Sequence, residues 1–281
     1  MNKKRARRQL SFDGLGTYTV LYLVFIYLPP LLLPLFSFND SIYIAFPLKG
    51  FTLQWYDEMI GNPALIQAFQ NSIKVGLSVA VMSTIFGTLA AKAVTRYRIR
   101  GERPVMFVIM LPLVIPLIIL GISLLTVVNQ LGIPLSLFTI GLAHTVLSVP
   151  LAMLVMISRM EGFDRGLEEA ALDLGETPWM VFWRVTFPLA FPGILSSLLL
   201  CFTTSLDEFI VAFFLAGDQV TLPIYIWSQL RFPQKLPEVL ALGATILMAS
   251  SFLVTFAEVI RRRGVRTTTL SGAQTPTLSG A

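Results

Sequence analysis

Charge, cysteine and histidine are all scarce in this chain. Of 281 residues only 13% are Asp, Glu, Lys or Arg, one is cysteine and one is histidine, whereas 55% are hydrophobic. So few charges beside so much apolar surface exclude a soluble globular domain. Apolar runs of about twenty residues instead mark an all-α polytopic membrane protein. A lone Cys201 excludes an internal disulfide, and its apolar surroundings read as a small core residue. No G-x-x-x-x-G-K-[ST] stretch occurs, which excludes ATP hydrolysis by this chain through a phosphate-binding loop of that type. No small-residue cleavage site follows a short apolar core near the N-terminus, so the first span reads as a retained signal-anchor.

What charge there is follows topology. The net charge of +5 lies in Lys and Arg clustered between apolar runs, a pattern of membrane orientation rather than nucleic-acid binding. Six transmembrane helices are expected, at 17–38, 72–94, 105–128, 137–157, 194–216 and 238–260. They divide Lys and Arg seventeen inside against four outside, which places both termini in the cytoplasm. Residues 1–16 form a basic cytoplasmic N-terminus, 17–266 the six-span domain, and 267–281 a Ser/Thr/Gly/Pro-rich tail that reads as disordered. The second span carries Gly76, Ser83, Gly87, Ala90 and Ala91, small residues that let helices approach closely. In the third, Pro112, Pro116 and Gly121 should loosen the backbone. His144, in the fourth, reads first as a hydrogen-bonded structural residue.

The polar interruption at 158–193 organises the rest. Glu169, Ala170, Ala171 and Leu174 suit a helix that Gly175 is placed to end, and Thr177-Pro178 can cap and start a second one. That second helix carries Trp179, Met180, Phe182, Trp183 and Val185, an apolar load too large for a short solvated loop. Either the aromatics sit at the lipid headgroups or the element docks on another protein.

Asp207 and Glu208 lie inside the fifth apolar span. A carboxylate in hydrocarbon costs at least about 2.5 kcal/mol, so each needs a cavity or a partner. Read as one helix, the segment puts the two acids about 100° apart, with Asp207 facing Thr203 and Val211 and Glu208 facing Ser205 and Ala212. Lining a substrate path and bonding to a neighbouring helix are both open readings of these acids.

The pattern Glu169-Ala170-Ala171, three residues, Gly175, nine residues, Val185, one residue, Phe187-Pro188 resembles the EAA loop of ABC-importer permeases. Val185 and Phe187 stand where Ile and Leu are usual. GFTLQWY at 50–56, SRMEGFDRGLEEAALDLG at 158–175, SLDEFIVAFFLAG at 205–217 and the following TLP are similar to spermidine/putrescine-type permeases. The resemblance implies a type I ABC importer permease fold in a bacterial inner membrane. It implies two ABC ATPase subunits, which bring the ATP and Mg, a second permease subunit that is a homologous different chain, and a substrate-binding protein on the outer side. By it, Glu169, Ala170, Ala171, Gly175, Val185 and Pro188 couple to the ATPase, with Gly175 as hinge. The substrate path would be formed by Asp207, Glu208, Ser205 and the aromatic face of Trp55. Polyamine ammonium groups suit carboxylates and aromatic rings. The third span, LPLVIPLIILGIS, nevertheless has no acid, and Leu117 follows Pro116 where some polyamine permeases have Asp. An importer of amino-acid derivatives, opines or phosphonates therefore stays open, as does a secondary transporter in which Asp207 or Glu208 binds a coupling ion.

Overall fold

The structure, a computed structural model, describes residues 14–97, 101–164 and 166–264, with side chains through residue 252 and at 255. Most of the basic N-terminus, Arg98, Arg100, Arg165 and the tail at 267–281 lie outside the described residues. The chain runs through α1 (Gly14–Ser37), α2 (Gln54–Ile60), α3 (Pro63–Arg96), α4 (Glu102–Val114), α5 (Leu117–Gln130) and α6 (Leu137–Glu161). It continues through α7 (Gly166–Asp173), α8 (Pro178–Val181), a π turn at Phe182–Thr186, α9 (Phe187–Asp207), α10 (Ile210–Leu215), α11 (Leu222–Gln229) and α12 (Leu236–Gly264). Among the described residues the only extended pairing is an isolated bridge between Asn39 and Phe51. Five helical stretches are long and apolar enough to cross a membrane, and α4 with α5, bent by 108°, makes a sixth if the pair is one span. The six-span expectation is met on that count.

Two compact units emerge, 1–61 with 232–281 and 62–231. In the first, α1 packs along α12, and α2 packs on α12 as well. Its loop between α1 and α2 is tied by side chains: the Trp55 indole N–H donates to the Asn39 carbonyl at 2.9 Å, and Ser37 Oγ meets Tyr56 Oη at 2.7 Å.

The second unit is built around α3. Its buried positions, Ser72, Val75, Gly76, Val79, Ala80, Ser83, Thr84, Gly87, Thr88 and Ala91, recur every three or four residues and form one stripe. The residues between them, such as Leu77, Val81, Ile85 and Leu89, are exposed apolar side chains, as a lipid-facing surface requires. The stripe is small because α6 and α9 press against it: a Cβ on Gly87 would meet the Ala152 Cβ and the Met153 backbone nitrogen. Thr84 Oγ1 and Ser197 Oγ, 3.1 Å apart, join α3 to α9, the kind of interhelical bond that averages about 0.6 kcal/mol in membranes.

Four boundaries differ from expectation. The second helix of the expected set starts early: Asn62 Oδ1 accepts from the backbone of Ala64 and Leu65, and Pro63 occupies the first turn, so α3 begins nine residues earlier than 72. The third span is broken rather than loosened, at Ile115-Pro116, where proline lacks an N–H and forces its predecessor out of helical geometry. Pro112 stays inside α4, and Gly121 serves as a contact surface on which Phe214 lies. The interruption at 158–193 shrinks, because α6 reaches Glu161, α7 covers Gly166–Asp173 and the chain is helical again from Pro178. The fifth span also ends early, at Asp207.

Candidate functional site

The turn at Gly175 takes the form its sequence requires. Gly175 sits at φ +90°, the left-handed region glycine enters without cost. Its N–H bonds to the Leu172 carbonyl at 2.9 Å, and the Glu176 N–H bonds to the Ala171 carbonyl at 3.2 Å. That pair of bonds is a Schellman closure of α7. Thr177 Oγ1 then accepts from the Met180 N–H and Pro178 occupies the first turn. Beyond this point no second short helix ends. The chain passes through the π turn straight into α9, so 178–207 is one continuous helical stretch. Pro188 supplies the reason: its ring clashes with the carbonyl four residues back and its missing N–H leaves that carbonyl unbonded, which a widened turn relieves.

Glu169, Ala170, Gly175 and Pro188 are exposed around this hinge, and Ala171 and Val185 are half-buried. Leu174 is 87% exposed and Trp179 67%, so the apolar tip is uncovered within the chain. Trp179, Phe182, Trp183, Phe187 and Phe191 form a ladder of ring contacts, with centroids 5.1–6.3 Å apart. The contacts that orient α7 come from Glu168, not Glu169. Its carboxylate pairs with Arg96 Nε at 3.1 Å and accepts from Thr186 Oγ1 at 2.6 Å. Sequence reasoning missed this residue because its partners lie 72 positions upstream and 18 downstream.

The second polar feature sits where α9 ends. Glu208 takes extended geometry at ψ 117°, and its side chain turns to the new helix, accepting from the N–H groups of Val211 at 3.0 Å and Ala212 at 3.1 Å. A carboxylate at the positive end of a helix is stabilised there. His144 is buried, with Nε2 3.3 Å from Glu208 Oε2 and Nδ1 2.9 Å from Ser205 Oγ. His144 is thus hydrogen-bonded, as its sequence setting led one to expect. The expectation of one helical wheel through both acids is corrected: Val211 and Ala212 belong to α10, across the break from Asp207 and Ser205.

Ser205 and Glu208 are brought together with His144, whereas Asp207 is exposed and makes no hydrogen bond or ion pair among the described residues. Two residues on, the Phe209 ring lies tilted at 45° to that of Trp227 of α11, with centroids 5.4 Å apart. Trp55, buried in the other unit, spends its N–H on Asn39. The loop between α10 and α11 is tied to α3, whose Asn71 Nδ2 donates to the Val220 carbonyl at 3.0 Å and whose Ser72 Oγ accepts from Leu222 N–H at 2.8 Å. Among the described residues no group of three or more His, Cys, Asp or Glu could hold a metal ion.

Comparison with known proteins places this geometry. Residues 83–266 match the family described as the binding-protein-dependent transport system inner membrane component. The chain is 35% identical over 240 residues to the spermidine/putrescine transport system permease protein PotC of Haemophilus influenzae, covering 85% of this chain and 93% of that protein. It is 37% identical over 233 residues to the putrescine transport system permease protein PotI of Escherichia coli K12, covering 80% of this chain and 82% of that one. Among solved structures, a chain of the bacterial alginate ABC transporter in complex with an alginate pentasaccharide-bound periplasmic protein superposes with TM-score 0.65 at 18% identity, covering 90% of this chain and 94% of that chain. Long apolar helices, a glycine turn between α7 and α8 and a family match over most of the sequence agree: the chain belongs to the binding-protein-dependent transport system inner membrane components and is a permease subunit of an ABC importer.

Proposed function

We propose that this permease carries polyamines, putrescine or spermidine, through a path on which Asp207 is the cation-binding carboxylate. The observation that carries the substrate class is that relatives sharing about a third of the sequence along most of its length are named for spermidine and putrescine transport. Asp207 supports it chemically. An exposed acid without a partner among the described residues is available to an ammonium group, and the Phe209–Trp227 pair offers ring faces close by in sequence. Glu208 and Ser205, engaged with His144, hold the break that presents Asp207. Trp55 shapes the outer loop.

The assembly follows from the same reading. A second permease faces this one, two ATPase subunits bind ATP and Mg below, and a substrate-binding protein delivers solute from outside. Both termini lie in the cytoplasm. Glu169, Ala170, Ala171, Gly175, Val185 and Pro188, with the Leu174 and Trp179 side chains, form the face that meets an ATPase subunit.

Radiolabelled putrescine uptake by cells expressing Asp207→Asn tests the assignment. A charge-assisted contact is worth about 1.5–3 kcal/mol, so apparent affinity should fall about tenfold to a hundredfold. Wild-type affinity in Asp207→Asn would remove Asp207 from the path.

A further inference from the structure

We propose that Arg96, Glu168 and Thr186 form the joint through which the hinge element moves α3, in addition to the backbone route into α9. This rests on the ABC-importer reading, in which the hinge follows the ATPase subunits.

One carboxylate ties three pieces together. Glu168 stands on the first limb of the hinge, Thr186 on the second, and Arg96 in the last turn of α3. The Glu168 and Arg96 side chains are 14% and 7% exposed, and Thr186 is fully buried. An exposed pair would be worth little, but one shielded from water and salt transmits displacement in its own low-dielectric pocket. Arg96 is itself held, with its guanidinium 5.0 Å from the Phe163 ring and Nη2 3.4 Å from the Met160 carbonyl. One turn earlier Lys92 Nζ lies 4.6 Å over the Phe182 ring, so α3 also grips the second limb directly.

The direct route is the softer one. Between hinge and α9 the backbone passes through the π turn, a widened stretch. The route through Glu168 reaches a single unbroken helix of 34 residues, about 51 Å long at 1.5 Å per residue. Among the described helices, α3 meets the hinge at one end and, through Asn71 and Ser72, the loop between α10 and α11 at the other. Displacement of Glu168 thus reaches the loop behind the polar break without passing through α9. Neighbouring acids divide the work: Glu169 faces outward to a partner and Glu168 inward to the spans.

The test uses the whole importer in lipid, with its ATPase subunits, second permease and binding protein. It measures the ratio of ATPase rate with binding protein and putrescine to the rate without them, together with putrescine moved per ATP. Glu168→Gln and Arg96→Gln should assemble fully yet lose about tenfold in both readouts. The swap Arg96→Glu with Glu168→Arg should restore most of each, because the Thr186 hydroxyl can accept as well as donate. That rescue assigns the effect to the ion pair, and full assembly of the uncoupled single variants separates it from a merely structural role. Single variants that couple like wild type would overturn the joint, and so would a swap as impaired as the singles. Singles that fail to bind the ATPase subunits would also overturn it, showing that the node only builds the docking face. If wild type binds no ATPase subunit, the importer reading fails with it. If wild type responds to another solute class, only the substrate assignment fails, and the joint is tested with that solute.

Discussion

Replacing Gly175 with Val is expected to bring putrescine uptake down to background while the chain still reaches the membrane. The cause is conformational and not steric, since a Cβ at this position would meet nothing within 4 Å. At φ +90° a non-glycine residue costs about 1–2 kcal/mol, and a β-branched one more. The introduced valine would relax toward right-handed geometry and sever the Glu176 N–H bond to the Ala171 carbonyl. The angle between α7 and the following helix would then change, and with it the face offered to the ATPase subunit. Gly175→Asn is the control, because Asn enters the left-handed region readily and should retain most uptake. Normal transport by an assembled Gly175→Val importer would remove the hinge role.

Truncating Glu208 to Ala should be the most destabilising single change at the polar break. It removes the cap on α10, worth about 0.5–2 kcal/mol, and strands the buried His144 Nε2, worth about 1–3 kcal/mol more. A loss of about 1.5–5 kcal/mol should appear as a lower melting temperature of the purified importer in detergent. Asp207→Ala, which removes a side chain without a partner among the described residues, should leave that temperature near wild type. Equal destabilisation by the two variants would contradict the division of roles between these acids.

Local chemistry made the hinge readable from sequence. Gly175 ends a helix, Thr177-Pro178 starts one, and both signals act within a few residues. The spans were readable for a similar reason, since hydropathy needs no knowledge of neighbours. Asn62-Pro63 carried the same cap signal, but hydropathy alone starts the second span at 72. The break after Asp207 was hidden because neither glycine nor proline marks it. It depends on Glu208 reaching forward to Val211 and across to His144, 64 residues away. The node at Glu168 was hidden likewise: three polar residues on separate elements become one site only when α3, α6 and α9 pack. Both exceptions are polar groups shielded from water, where tertiary partners decide what a side chain does.

The most direct test is ATPase stimulation of the purified importer in lipid by its binding protein, with putrescine, spermidine, amino acids and phosphonates compared. The expected result is stimulation by putrescine or spermidine alone, lost in Asp207→Asn. Stimulation only by an anionic or zwitterionic solute would contradict the polyamine assignment, and failure of any ATPase subunit to copurify would contradict the role of the hinge itself.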